Sequence, residues 1–222
     1  MSQILYIFVT NLESMKTART IQETIQSWNR GKVFFYSDFD GISGTVAVRK
    51  QLSRLCSSGS IIRCGMGIFY YPVIDTKYGF GVIPPTNGII AKAYAEKQGI
   101  ALFPTKESAS NLLGLSTQNQ MNEVYQTDGY SRTIDTGIGD GIRLVHTSQS
   151  RLKLFLSRDM QLLAIALNGE HPDSLSAQDK AVLCKKIMNV TDSQFEHDIK
   201  LFSHEKQQFI RKCRTKTCSS AQ

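Results

Sequence analysis

Arg49, Lys50 and Arg54 fall within one segment, Thr45 to Ser57, together with the hydroxyls of Thr45 and Ser53. In the same segment Val48, Leu52 and Leu55 recur at intervals of three and four, with Val46 nearby, so an apolar stripe of a helix faces a core. Arg49, Lys50, Ser53 and Arg54 take the remaining positions. Arg63 and Met66 follow on a short hairpin. A helix face of cations and hydroxyls suits a polyanion, because side chains on such a helix reach base edges while flanking cations hold phosphates. A charged helix face alone is often just a solvated face. The basic-edged hairpin that follows this one favours DNA, with Thr45, Arg49, Lys50 and Ser53 nearest the bases, Arg54 and Arg63 on phosphates, and Met66 at the hairpin tip either exposed against the minor groove or backbone or folded back on the core.

The elements that must position these residues are written around them. Ser37-Asp38 is an N-cap signal for a short helix, and Gly41-Ile42-Ser43-Gly44 breaks the chain where a tight inter-helix turn belongs. Gly59 is placed to end the second helix, Ile61-Ile62-Arg63 and Ile68-Phe69-Tyr70-Tyr71 have strand composition, and Cys64-Gly65-Met66-Gly67 makes the turn between them. Upstream, Thr17 to Trp28 carries Ile21, Ile25 and Trp28 on one helical face, and Gly31 to Tyr36 is a short strand or extended segment able to pair with the hairpin. The order is that of a winged helix-turn-helix over residues 15–75. The first fourteen residues, with the apolar run Ile4 to Val9, read as an edge strand, a partner-binding strand or an upstream translation start.

Residues 76–222 read as a second, mixed domain. Gly79 to Pro85 is a linker; helices are expected from Thr86 to Gln98 and Thr105 to Leu113, and an extended piece at Ile100 to Phe103. Strands at Glu123–Thr127, Arg132–Thr136 and Ile142–Thr147, separated by Asp-Gly and Gly-Asp-Gly turns, give a short antiparallel meander. Helices at Ser157–Leu167, Ser176–Asn189 and Thr191 to about Arg214 close the chain. The fold class is therefore α/β in content, arranged as α+β.

The net charge of +7 is unevenly spread. Residues 1–74 carry 8 basic and 4 acidic side chains, 75–205 carry 13 and 15, and 206–222 carry 5 and none. The basic excess sits in the first domain and the tail, which suits a polyanion at one end and a protein partner elsewhere. Five cysteines, Cys56, Cys64, Cys184, Cys213 and Cys218, form no CxxC pair and read as reduced thiols. Ile4 to Val9 is far shorter than a membrane span and lacks a signal-peptide pattern, so the expected location is the cytoplasm, without a membrane partner.

Catalysis finds little support. Asp128, Asp135, Asp140 and His146 cluster near predicted turns, where aspartate has an adequate backbone-bonding reason to occur. Asp192 with Asp198-x-Lys200 imitates a nuclease set, but on a helix whose buried face is Phe195, Ile199 and Phe202. Ser116 has no strand-turn-helix elbow around it, and no Walker or dinucleotide motif occurs. His197 and His204 read as surface residues. No catalytic residue, metal site or cofactor is expected.

Several segments together resemble a bacterial family related to AbiEi, the antitoxin and operon regulator of type IV toxin-antitoxin systems. They are Tyr36-Ser37-Asp38-Phe39, Val48 with Leu52-Ser53-Arg54-Leu55, Gly59 with Ile61-Ile62-Arg63, Gly67 to Pro72, Asn111 to Gln118, and Tyr125-x-Thr127-Asp128-Gly129-x-Ser131-Arg132-Thr133. The resemblance spans about Met15 to Ser150. It implies a winged helix that binds operator DNA and a C-terminal domain that opposes a nucleotidyltransferase-like toxin. Arg132, a cation on a short strand beside a turn, is the expected partner-binding residue, with Asn111–Gln118 and Tyr125–Thr133 as the centre of that domain. Two other readings stay open: a nuclease acting through the second domain, and a protein-binding module that has lost DNA contact.

Overall fold

The computed structural model describes residues 3–42, 44–117 and 123–215, residues 3–14 by their backbone alone. Ser43 of the inter-helix turn, Gln118 of the family-like segment, and the end of the basic tail with Cys218 lie outside the described residues. The fold is mixed α and β with small antiparallel sheets. It divides into two compact units: residues 1–97 with 134–142, and 98–133 with 143–222. The first unit thus includes residues 76–97, which the sequence assigns to the second domain.

The first unit opens with α1 (Gln3–Ser27). The first fourteen residues are therefore not a strand: from Gln3 they extend the helix. Adding residues to an existing helix avoids a new nucleation step, which outweighs the strand preference of the β-branched and aromatic run. β1 (Val33–Phe35), a 3-10 turn at Tyr36–Phe39, α2 (Thr45–Ser57), β2 (Ile62–Gly65) and β3 (Ile68–Tyr70) follow; the short helix expected to open at Ser37-Asp38 is this 3-10 turn, which begins at Tyr36 because Asp38 bonds back to the Phe35 N–H from inside it. The strand order is β1-β3-β2, with Val33 opposite Tyr70 and Phe35 opposite Ile68. Ile21 and Ile25 of α1, Phe34, Phe39, Val48, Leu52, Leu55, Ile61 and Phe69 form one buried core. Phe34 is its centre, stacked on Phe69 at 5.6 Å and meeting Trp28 and Phe39 at 5.1 and 5.9 Å.

The expected linker at Gly79–Pro85 is instead half of a hairpin. β4 (Val73–Asp75) pairs with β5 (Gly81–Ile83), because the Asp75 carboxylate accepts the N–H groups of Lys77, Tyr78 and Phe80 and folds the intervening turn. α3 (Asn87–Gln98) starts at buried Asn87, whose amide donates to the Ile138 carbonyl at 3.1 Å and whose oxygen accepts from the Thr136 hydroxyl at 2.6 Å. That network holds the 134–142 segment within this unit.

β6 (Leu102–Pro104), β7 (Glu123–Thr127), β8 (Arg132–Ile134) and β9 (Ile142–His146), of which all but Ile134 and Ile142 belong to the second unit, make a sheet of order β6-β7-β9-β8. β9 lies between β7 and β8, so the strands do not neighbour one another in simple chain order. α4 (Lys106–Leu113) is capped by Thr105, whose hydroxyl oxygen accepts from the Ser108 N–H, and ends at Gly114 in the left-handed region. α5 (Arg158–Ala166) and α6 (Ala177–Met188) are capped in the same way by Ser157 and Ser176. The single long helix expected from Thr191 is broken into α7 (Asp192–Asp198), a 3-10 turn and α8 (His204–Thr215). Asp198, fully buried at the break, accepts the N–H groups of Leu156 and Ser157 at 2.9 and 2.8 Å, fixing the chain before α5. The core gathers Phe103, Leu113, Met160, Leu163, Leu183, Ile187, Ile199 and Ile210.

The cysteine expectation is also corrected. Cys184 of α6 and Cys213 of α8 form a disulfide with their Cα atoms 4.8 Å apart, since these facing helices bring residues 29 apart in sequence together. Among the described residues, Cys56 and Cys64 are free thiols. No described helix is long and apolar enough to cross a membrane.

Candidate nucleic-acid interface

α2 owes its orientation to its two ends and one stripe. The Ala47 and Val48 N–H groups bond the Gly44 carbonyl; at the far end the Ser58, Gly59 and Ser60 N–H groups donate back to the carbonyls of Arg54, Cys56 and Leu55. Val48, Leu52 and Leu55 are buried, which turns the opposite side outward. There Thr45, Arg49, Lys50, Ser53 and Arg54 are all exposed. Val46, expected on the core side, is 79% exposed and joins this outer face. Its spacing to Arg49, Lys50 and Ser53 is three, four and seven, so all four share one stripe. α2 contains three cations and no acid.

The β2–β3 hairpin follows α2. Arg63 pairs with Phe69 and Gly65 with Ile68, so Cys64 is an extra, buried residue that bulges β2. Burial, with the neighbouring Cys56, pushes the Cys64 thiol up to about 11, which leaves it a packing residue rather than a nucleophile. The exposed Arg63 donates through Nε to the Gly65 carbonyl at 3.2 Å, fixing its base at the start of the turn. Met66 at the tip is 92% exposed, so it does not fold back on the core. A Cβ at Gly65 would stand inside the van der Waals radius of the Asp135 carbonyl oxygen, so a glycine is required where the 134–142 segment braces the hairpin.

Tyr36 joins helix and hairpin, a role that its place at the end of an extended segment does not signal. The Arg49 guanidinium lies over its ring, 5.5 Å from the centroid. The same ring meets Phe69 edge-on at 4.9 Å and lies 3.1 Å from where a Gly67 Cβ would be. Half-buried Tyr36 therefore sets the spacing between a cation of α2 and the hairpin turn. Asp38, the third residue of the 3-10 turn, accepts the Phe35 N–H at 2.8 Å and pairs with Lys97 at 2.6 Å. Its carboxylate is spent on these contacts.

Most of the residues weighed for catalysis make local contacts. Asp128 pairs with Lys153 and accepts the Ala101 N–H, and these contacts hold its carboxyl below the usual range. Asp135 accepts the Gly137 N–H, and His146 Nδ1 lies 2.8 Å from the Gly129 carbonyl oxygen. Asp192 pairs with Arg214, while Asp198 is the buried brace before α5. Asp135 and Asp140 belong to the first unit, Asp128 and His146 to the second. No three described His, Cys, Asp or Glu residues are placed to hold a metal ion. Arg132 is exposed at the start of β8 in the second unit. In the same unit the Tyr125 hydroxyl donates to Glu123 at 2.7 Å.

Residues 20–186 match the model of DUF6088, a family of unknown function. No curated protein matches the chain.

Proposed function

We propose that this chain, which belongs to the DUF6088 family, is a non-catalytic, cytoplasmic DNA-binding regulator that grips double-stranded operator DNA through α2 and the β2–β3 hairpin. The observation that carries this reading is the outward stripe of α2. Arg49, Lys50, Ser53 and Val46 share it, no acid interrupts it, and the exposed Arg63 and Met66 follow on the β2–β3 hairpin, which Tyr36 links to Arg49. α2 is of a length to lie in the major groove. There Arg49 and Lys50 meet base edges, Val46 offers an apolar contact to a thymine methyl, and Arg54 and Arg63 hold phosphates.

The antitoxin part rests on the resemblance of residues 15–150. In it the second unit opposes a nucleotidyltransferase-like toxin, with Arg132 in the partner surface. Fluorescence anisotropy with a labelled duplex from upstream of the chain's own coding sequence tests the DNA part. Binding that is tighter than to a scrambled duplex, and lost on Arg49→Ala with Lys50→Ala, supports it; equal binding by the double variant contradicts it. Co-purification with a toxin encoded beside it, weakened by Arg132→Ala, tests the antitoxin part. Unchanged co-purification removes Arg132 from the partner surface.

A further inference from the structure

The second unit holds a cavity of about 300 Å³ that the DNA reading leaves unused. Three segments wall it: the 3-10 turn Ser150–Leu154 with Phe155 after it, the end of α5, and the chain from Leu201 into α8. Each wall is pinned. The Gln161 side chain donates to the Leu152 carbonyl at 2.8 Å, the Gln207 side chain donates to the Phe202 carbonyl at 2.9 Å, and the Lys206 ammonium donates to the Leu167 carbonyl at 2.6 Å. The cavity is therefore formed before any ligand arrives, as small-molecule sites usually are.

Its lining divides by chemistry. Leu152 and Phe202 are buried, and half-buried Phe155 meets Phe202 edge-on at 5.3 Å. Arg151 and Lys206 also line the cavity, with Ser148, Ser150 and Ser203, and no acidic residue does. No described carboxylate pairs with either cation: Glu170, after α5, is held by Lys106 at 2.6 Å, and Asp128 is held by Lys153. Two cations in a recess without an anion make it a place of positive potential.

We infer that this cavity binds a small organic oxyanion, a phosphate or carboxylate joined to a ring-sized apolar body, with the oxyanion on Arg151 and Lys206 and the body against Leu152 and Phe155. Both halves are needed. A bare inorganic anion leaves the aliphatic and aromatic wall in water, whereas a purely apolar ligand covers two cations without pairing them, which is costly. The guanidinium fork matches either oxyanion, and the volume stands at the lower end of ligand cavities, which suits a ring or two with one charged group. The cavity lies within the second unit and the DNA face within the first, so the two readings stand or fall separately.

Isothermal titration calorimetry of the full chain with naphthyl phosphate tests it, with naphthoate beside it to tell the two oxyanions apart. Saturable binding of either, with a dissociation constant of about 100 µM or below, is expected for a ligand of this size. Neutral naphthol, which lacks the charge, and inorganic phosphate, which lacks the body, should each bind about tenfold more weakly or not at all. Arg151→Ala changes an exposed residue, so it should fold as wild type and weaken the bound oxyanion about tenfold or more, the effect of one charge-assisted hydrogen bond. A second variant, Ala164→Leu, fills part of the cavity from α5 and should weaken it likewise. Circular dichroism identical to wild type establishes that the variants are folded. A wild-type chain with no saturable binding of either probe up to about 1 mM overturns the inference. So does naphthol or inorganic phosphate that binds as tightly as naphthyl phosphate. A folded Arg151→Ala chain that binds the probes unchanged and loses only duplex affinity also overturns it, because Arg151 is then a nucleic-acid contact.

Discussion

Tyr36 gives the sharpest quantitative test of how the interface is assembled. Its ring underlies the Arg49 guanidinium at 5.5 Å, a geometry that contributes about 0.5–1 kcal/mol at an exposed site. If that contact holds Arg49 ready for the groove, Tyr36→Leu weakens operator binding by about two- to fivefold, since 1.4 kcal/mol is a factor of about ten. Tyr36→Phe keeps the ring face and leaves binding close to wild type. The lost edge-on contact with Phe69 also lowers the stability of Tyr36→Leu by about 0.5–1.5 kcal/mol, readable by urea denaturation. The two effects separate in a double-mutant cycle. Anisotropy titrations of Tyr36→Leu, Arg49→Ala and the double variant should show a coupling of about 0.5–1 kcal/mol in binding. Strict additivity would refute the idea that Tyr36 acts through Arg49.

Gly65→Ala drives a Cβ into the Asp135 carbonyl, and because that atom is backbone it yields poorly; a loss of about 1–3 kcal/mol in urea denaturation is expected, and an unchanged midpoint would show that the 134–142 segment does not brace the hairpin. Opening the Cys184–Cys213 bridge by Cys184→Ser releases a closed loop of about 29 residues, which costs about 3.6 kcal/mol in the chain-entropy description; guanidinium unfolding followed in the second unit reads it, and wild type plus reductant should match the variant. Asp128 has its carboxyl held low by Lys153 and the Ala101 N–H, so its contribution is present above its unfolded value and fades as pH falls through the folded one. Asp128→Asn should therefore be less stable than wild type at neutral pH, with the gap closing below about pH 4.

Where local chemistry sets the structure, the sequence was sufficient. The period of Val48, Leu52 and Leu55 marked the buried side of α2, while Gly65 with Gly67 marked the turn but left Met66 open between an exposed tip and a core contact, which its 92% exposure decides. Thr105, Ser157 and Ser176 marked helix starts because a cap is a contact within one turn. What escaped depends on groups distant in sequence or on competing local signals. Val46 looked like core by composition but points outward by its phase on the helix. The Tyr36–Arg49 contact and the Gly65–Asp135 approach exist only once the chain has folded. Cys184 and Cys213 have no spacing signature, and the Gly79–Pro85 stretch read as a linker because Asp75, which folds the turn, lies before it. The break after Asp198 was hidden for the same reason: its partners are the backbone of Leu156 and Ser157, about forty residues earlier.

The central claim, that α2 and its hairpin grip operator DNA, is tested most directly by the salt dependence of binding. Log affinity should be measured against log salt for wild type, Arg54→Ala with Arg63→Ala, and Arg49→Ala with Lys50→Ala. Each phosphate contact contributes about 0.9 to the slope, so losing the two phosphate cations should flatten it by about 1.8 on operator and scrambled duplexes alike. Removing Arg49 and Lys50 should cost about 1–3 kcal/mol per base contact on the operator and narrow its advantage over the scrambled duplex. A wild-type chain with no salt-dependent affinity for either duplex, or variants indistinguishable from it, would contradict the account.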